Sequence, residues 1–243
     1  MRGLLCVAAA AFVLAAGHLP ASAQTIKSYR HLVLDGHSLK WGKPVLGTGA
    51  SVTYALVENS VSFAGARNCS SMAPLDNLLA RNAIGTAAFM GELRQAFAVW
   101  EAAADISFAP ADAAVADILV GAQADPVGYA FANVEYDETQ AGAGPRSISR
   151  SMVCLNPLRH WKIGFDGDLD VYDLRYTLMH EIGHAIGLNH PKVDGQLMAY
   201  AYRETFRVLQ MGDIRGVELL YGSREATPKM RVGKIHRNDV SIR

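Results

Sequence analysis

HEIGHAIGLNH, running from His180 to His190, decides how this chain of 243 residues is read. An α-helix turns once in 3.6 residues, so His180 and His184 stand one turn apart on the same face. Two imidazoles at that spacing grip one metal ion. Glu181 is next to His180 and can lean towards a water on that metal. Gly187 permits the positive φ that ends a helix sharply, so the chain turns back and delivers His190 as a third ligand. Three neutral nitrogens leave a fourth position open, which separates a catalytic zinc site from a closed structural one. With each residue type at its usual frequency, the five fixed positions arise by chance on the order of 10⁻⁵ times per chain of this length. Asp170 to Gly187 also carries Leu174, Leu178, Ile182 and Ala185 at the 3–4 spacing of a half-buried helix, which is what the histidine geometry requires.

Working outward, Met198 follows eight residues after His190, in GQLMAYAY. A long zinc motif followed by a methionine turn resembles the metzincin signature. The eight-residue step, and LQMGDIRGVELLYG from Leu209 to Gly222, resemble the matrixin branch. Pro191 and the tyrosine at Met198-Ala199-Tyr200 look more like serralysins and astacins. The chain is read as a bacterial matrixin-like metzincin. The resemblance runs from about Trp41 to Gly222 and is strongest over Tyr176–Gly222.

The rest of the chain supplies the architecture. Ser51–Val57 alternates and is β-branched, so it reads as a strand. Ile84–Ala104 reads as a helix with Phe89, Leu93, Phe97 and Trp100 on one face. Ile106–Phe108, Asp117–Val120, Gly128–Tyr136 and Ser149–Leu155 read as strands, the last two joined across the Gly-rich turn Ala141–Pro145. The active-site helix follows, and Asp213 caps a last helix running to Tyr221. This order gives an α+β fold: a mixed, twisted sheet packed on two long helices, plus a C-terminal helix. The resemblance implies a metzincin-type catalytic domain of that form. The expected divisions are a signal peptide (1–23), a short N-terminal segment (24–40), the catalytic domain (41–222) and a flexible basic tail (223–243). That tail holds six Lys/Arg against two acids.

Arg2, the apolar run Leu4–Ala16 and Ala21-Ser22-Ala23 make up the signal, so the product is secreted or periplasmic. The run is shorter than the roughly 20 residues that span a bilayer, so no membrane attachment is expected once the signal is removed. Lys plus Arg equal Asp plus Glu at 23 each, which argues against a nucleic-acid partner. Cys6 leaves with the signal. Cys69 and Cys154 remain in an oxidising compartment, where they form a disulfide or stay as two buried thiols.

Some family features are expected to be absent. Arg67-Asn68-Cys69-Ser70-Ser71 does not match the propeptide cysteine by which many matrixins hold themselves inactive. Asp35-Gly36 reads as a turn in preference to a latent metal ligand. Tyr129 occupies the approximate place of a structural-zinc histidine, and no histidine lies between His37 and His160, so no structural zinc is expected. Asp166, Asp168 and Asp170 are candidate oxygen ligands for calcium, with Asn133, Glu135 and Asp137 a weaker set. The competing reading of the first set is a solvated turn with Asp170 as helix N-cap.

The implied function is a zinc endopeptidase acting on polypeptides, with one catalytic zinc on His180, His184 and His190. Glu181 is the general base. Tyr200 hydrogen-bonds the oxyanion, a role for which Tyr202 competes. Met198 packs beneath the imidazoles as a floor. The strand from Gly128 is the sheet edge onto which an extended peptide adds. A zinc-containing peptide-binding protein without proteolysis and a non-proteolytic amidase are the alternatives. The oligomeric state is left open.

Overall fold

The computed structural model describes residues 28–66, 68–140 and 142–224. The expected leader (1–23) and nearly all of the expected basic tail lie outside the described residues. Three short strands come first: β1 (Arg30–His31), β2 (Val33–Leu34) and β3 (His37–Lys40). β4 (Ala50–Leu56), β5 (Val61–Ser62) and β6 (Ser71–Ala73) lead to α1 (Asp76–Arg81) and the long α2 (Thr86–Ala103). Next come β7 (Ile106–Pro110), β8 (Ile118–Gln123), β9 (Ala130–Tyr136) and β10 (Arg146–Leu155). β11 (Trp161–Lys162) and β12 (Tyr172–Asp173) bracket a loop before α3 (Leu174–Ala185). β13 (Leu188–Asn189) and α4 (Met211–Tyr221) complete the fold.

The architecture is α+β. Among the described residues nine strands share one sheet, with a main path β2-β3-β10-β8-β4-β7. β4, β7, β8 and β10 run parallel, while β9 runs antiparallel along β10 from Tyr136↔Ile148 to Ala130↔Leu155. Both faces of the central strands are covered. Ile118, Val120, Val153 and Leu155 point to a core shared with Phe89, Leu93 and Trp100 of α2 and Leu178 and Ile182 of α3. Leu119, Met152 and Cys154, at the intervening positions, pack with Val57, Phe63 and Met72 on the other face. Each side of the sheet therefore excludes water, which accounts for the near-continuous apolar run of β8.

The stretch read as a separate N-terminal segment contributes strands to this same body. β2 and β3 form a hairpin through Asp35 and Gly36, both at positive φ (49° and 83°). β3 then pairs in parallel with the start of β10, and β1 pairs antiparallel with β13. Among the described residues no helix is long and apolar enough to cross a membrane.

Two caps differ from expectation. The active-site helix is capped by Asp173, whose side chain accepts the Tyr176 N–H at 2.8 Å. Asp170 lies upstream in the loop, because β12 pairs with β11 and stays extended up to Asp173. In the last helix Gln210 is the N-cap. Asp213 sits inside the first turn and reaches back to the Gln210 N–H at 2.8 Å as half of a capping box.

Candidate active site

α3 buries Leu174, Leu178, Met179, Ile182 and Ala185 in the core. Its opposite side brings His180 and His184 to a cleft of about 1090 Å³. At Gly187 (φ +102°) the chain reverses, and His190 returns to the same point. The three Nε2 atoms form a nearly equilateral triangle: His180–His190 3.1 Å, His184–His190 3.1 Å and His180–His184 3.2 Å. A tetrahedral zinc with Zn–N of about 2.0–2.1 Å asks for nitrogens about 3.3–3.4 Å apart, so this donor set fits the ion closely.

Protonation favours a cation at that point. His180 Nδ1 lies 2.9 Å from the Leu197 carbonyl, and His184 Nδ1 lies 2.9 Å from the Leu188 carbonyl. Each Nδ1 donates its proton there, which leaves the Nε2 lone pair facing inward. Burial pulls His180 down to about 4 and, with the neighbouring imidazoles, takes His184 well below its ordinary value. Burial, followed by the charge of Arg30, lowers His190 as well. Three neutral rings with converging lone pairs repel one another unless a cation lies between them.

Glu181 is buried beside them. Burial pushes its carboxyl up to about 8, against a hydrogen bond from the Ala132 backbone N–H of β9. Met198 lies beneath. A Cβ built on Gly183 would stand 2.3 Å from the Met198 sulfur, so only glycine lets the thioether reach the helix between His180 and His184. Tyr200 is 85% exposed, and its ring stands edge-on to His190 at 5.2 Å.

The walls of the cleft differ from each other. β9 forms one rim and, among the described residues, pairs only with β10. Tyr129, Tyr172 and Tyr202 stack successively at 3.8 and 4.2 Å, with Tyr176 edge-on to Tyr202. Below them Glu92 of α2 holds both Arg175 and Arg207, and Arg207 also holds the capping Asp173. None of these was singled out for such a role from the sequence. The one available signal was tyrosine density around the motif.

Tyr129 is part of that stack, and its hydroxyl donates to the Asp170 carbonyl. Among the described residues, the histidine triad is the only group of three His, Cys, Asp or Glu side chains gathered closely enough for a metal. Asp166 instead engages the Lys162 ammonium, which also contacts Glu204 at 2.6 Å and the Asp168 carbonyl at 2.6 Å. Asn133 is tied to the Cys69 carbonyl at 2.9 Å, and Asp137 to Thr139. Asp35 accepts the Tyr136 hydroxyl at 2.5 Å, away from the triad. Cys69 and Cys154 form a disulfide.

A model of the matrixin peptidase family matches residues 78–222. The chain belongs to the matrixin family. Matrix metalloproteinase-19 of Mus musculus is 30% identical over 136 residues, covering 54% of this chain and 25% of that protein. The Homo sapiens protein of the same name is 30% identical over 137 residues, 54% and 26%. The 72 kDa type IV collagenase of Gallus gallus is 42% identical over 109 residues, 43% and 15%. This matrixin therefore spans about a quarter or less of the length of these relatives.

Proposed function

We propose that this matrixin is a zinc-dependent endopeptidase that hydrolyses polypeptides, with Glu181 as general base. One observation carries the reading: three imidazole Nε2 atoms within 3.2 Å of one another, beside the buried carboxyl of Glu181. His180, His184 and His190 would hold the ion. Bound zinc supplies Lewis acidity and brings a water near neutrality in pKa. Glu181, buried beside the triad, would accept a proton from the attacking water and hand it to the leaving amine.

An extended substrate lies along β9, whose outer edge offers main-chain donors and acceptors. The Ala132 N–H already points to Glu181, so the scissile bond is centred on that residue. Tyr200 donates a hydrogen bond to the developing oxyanion. Tyr202 is the weaker candidate, since its hydroxyl donates to Glu204 at 2.8 Å and accepts the Asp173 N–H at 2.9 Å. Zinc is the one metal in this reading. Export to an oxidising compartment agrees with the Cys69–Cys154 bond.

The test is hydrolysis of casein or a quenched peptide with and without a chelator, alongside Glu181→Ala. That variant keeps its zinc and loses about 10²–10⁴ in rate. Full activity in zinc-loaded Glu181→Ala refutes the assigned base. Zinc uptake without any cleavage by the wild type refutes the enzyme.

A further inference from the structure

α3 ends at Ala185, short of the turn that carries the chain round to His190. A helix leaves its last carbonyls without partners of its own. Here three successive carbonyls are taken by donors remote in sequence. The Ala185 carbonyl accepts the Trp41 indole N–H at 2.9 Å. The Ile186 carbonyl accepts the Tyr221 hydroxyl at 2.7 Å, and that oxygen in turn accepts the Trp41 backbone N–H at 3.0 Å. The Gly187 carbonyl accepts the Leu32 N–H at 2.7 Å. The β2–β3 hairpin then closes round Gly187. Leu39 N–H donates to the Leu32 carbonyl at 3.1 Å, and a Cβ on Gly187 would lie 2.1 Å from the Leu39 carbonyl oxygen. Beyond it, β1 pairs His31 with Leu188 and Arg30 with Asn189. The next residue is His190.

His180 and His184 are oriented by their helix, whereas His190 has no helix beneath it. Every residue from Ala185 to Asn189 is held instead by Arg30–Trp41 or by Tyr221. We infer that Arg30–Trp41 is a positioning element of the metal centre, setting the path by which His190 meets the other two imidazoles. The mature enzyme therefore retains this segment, and loosening it releases metal from a domain that is otherwise folded. The inference rests on the zinc reading proposed above. A purely structural role for the segment predicts lower stability with unchanged metal affinity.

The experiment uses the full chain in three variants. Leu32→Pro deletes the donor to Gly187. Trp41→Phe keeps an aromatic ring and deletes the donor to Ala185. Leu78→Ala truncates a fully buried residue of α1 and serves as the stability control. Zinc affinity is measured by competition with a chromophoric chelator, at a temperature where circular dichroism shows each variant folded. Partners one step removed from a metal typically change affinity 10–100-fold. Leu32→Pro is expected to weaken zinc binding at least tenfold and Trp41→Phe several-fold. Leu78→Ala lowers the melting temperature without changing affinity. Hydrogen exchange of the Leu188–His190 amides in metal-free protein should quicken in the first two variants only. Should Leu32→Pro fail to fold, Trp41→Phe decides alone. Wild-type affinity and exchange in the folded variants overturn the inference, and so does equal weakening in Leu78→Ala. If the wild type takes up no zinc, the proposed function falls, and the exchange data separately decide whether the segment orders the turn.

Discussion

The Leu197 carbonyl lies 2.9 Å from His180 Nδ1, and Asp213 holds the N–H of that same Leu197 at 2.8 Å. The C-terminal helix thus reaches His180, the first histidine of the triad, through the methionine turn. Asp213 is 2% exposed and also accepts the N–H groups of Met198 at 3.1 Å and Gln210 at 2.8 Å. Asp213→Ala strands these donors in a buried place, at about 1–3 kcal/mol for an unsatisfied group. It also frees Leu197, so zinc affinity should fall about 10–100-fold. Urea unfolding and a zinc titration on the same preparation check both. A destabilised variant with intact zinc affinity breaks the proposed link from Asp213 to His180.

Gly183 lies between His180 and His184 on α3. Replacing glycine by alanine inside a helix ordinarily gains about 1 kcal/mol. Here the new methyl would meet the Met198 sulfur at 2.3 Å and a carbon of the Trp100 ring at 2.9 Å. Overpacking of that kind costs about 1–3 kcal/mol, and the rigid buried Trp100 has nowhere to retreat. Gly183→Ala should therefore be less stable than wild type in a denaturant titration. A stabilised variant shows that Met198 moves aside freely and is no fixed floor.

The residues legible in the sequence are those whose relation is local. His180, Glu181 and His184 follow from the helical repeat, and His190 from Gly187. Met198 comes from its short step downstream. β4 follows from the alternation over Ser51–Val57, and α2 from its apolar face. Long-range pairings left no such trace. The Trp41–Ala185 bond joins residues 144 apart, and neither partner is unusual by itself. Asp170 reads as the cap from local sequence, whereas the pairing of β11 with β12 keeps the chain extended to Asp173, where the helix starts. The Lys162 ammonium among Asp166, Asp168 and Glu204 is a tertiary event, which the run of carboxylates alone does not show.

Lys40 carries a pH dependence opposite to that of an ion-paired lysine. Its side chain is fully buried, donating to the carbonyls of Trp41 and Lys43 at 2.7 Å each, with no carboxylate partner in those bonds. Burial lowers its pKa from 10.5 to about 8. Between those values the unfolded chain binds the proton and the folded chain does not, so stability rises with pH across that window. Below pH 8 the full penalty of a charged buried ammonium applies. At 1.36 kcal/mol per unit the penalty is about 3 kcal/mol, relieved as pH climbs towards 10.5. Urea unfolding of wild type and Lys40→Met at pH 7.5 and 9.5 isolates this group, because the other titrations cancel between the two. The wild type should gain on the variant at the higher pH. A gap that is constant or widens against the wild type contradicts the burial argument.

The disulfide joins the rim of the cleft to the central sheet. Cys154 lies on β10 opposite Phe131, while Cys69 ends a loop whose residues Ala64–Ala66 and Asn68 line the cleft. Asn133 provides a second tie, accepting the Asn68 N–H at 3.2 Å and donating to the Cys69 carbonyl at 2.9 Å. Removing the covalent tie with Cys69→Ser and Cys154→Ser should cost about 2–5 kcal/mol, given the 85-residue separation it spans. Both ties hold one loop, so their losses should not add. Asn133→Ala is mild while the disulfide stands and more severe in the double-serine background. The histidine triad sits on the other side of β9, on α3 and its turn, so zinc affinity should stay level while KM for a long peptide rises. A double-mutant cycle read in KM and in urea midpoints checks this. Additive losses would mean that the two ties brace different structures, and a fall in zinc affinity would mean that the rim loop reaches the metal centre.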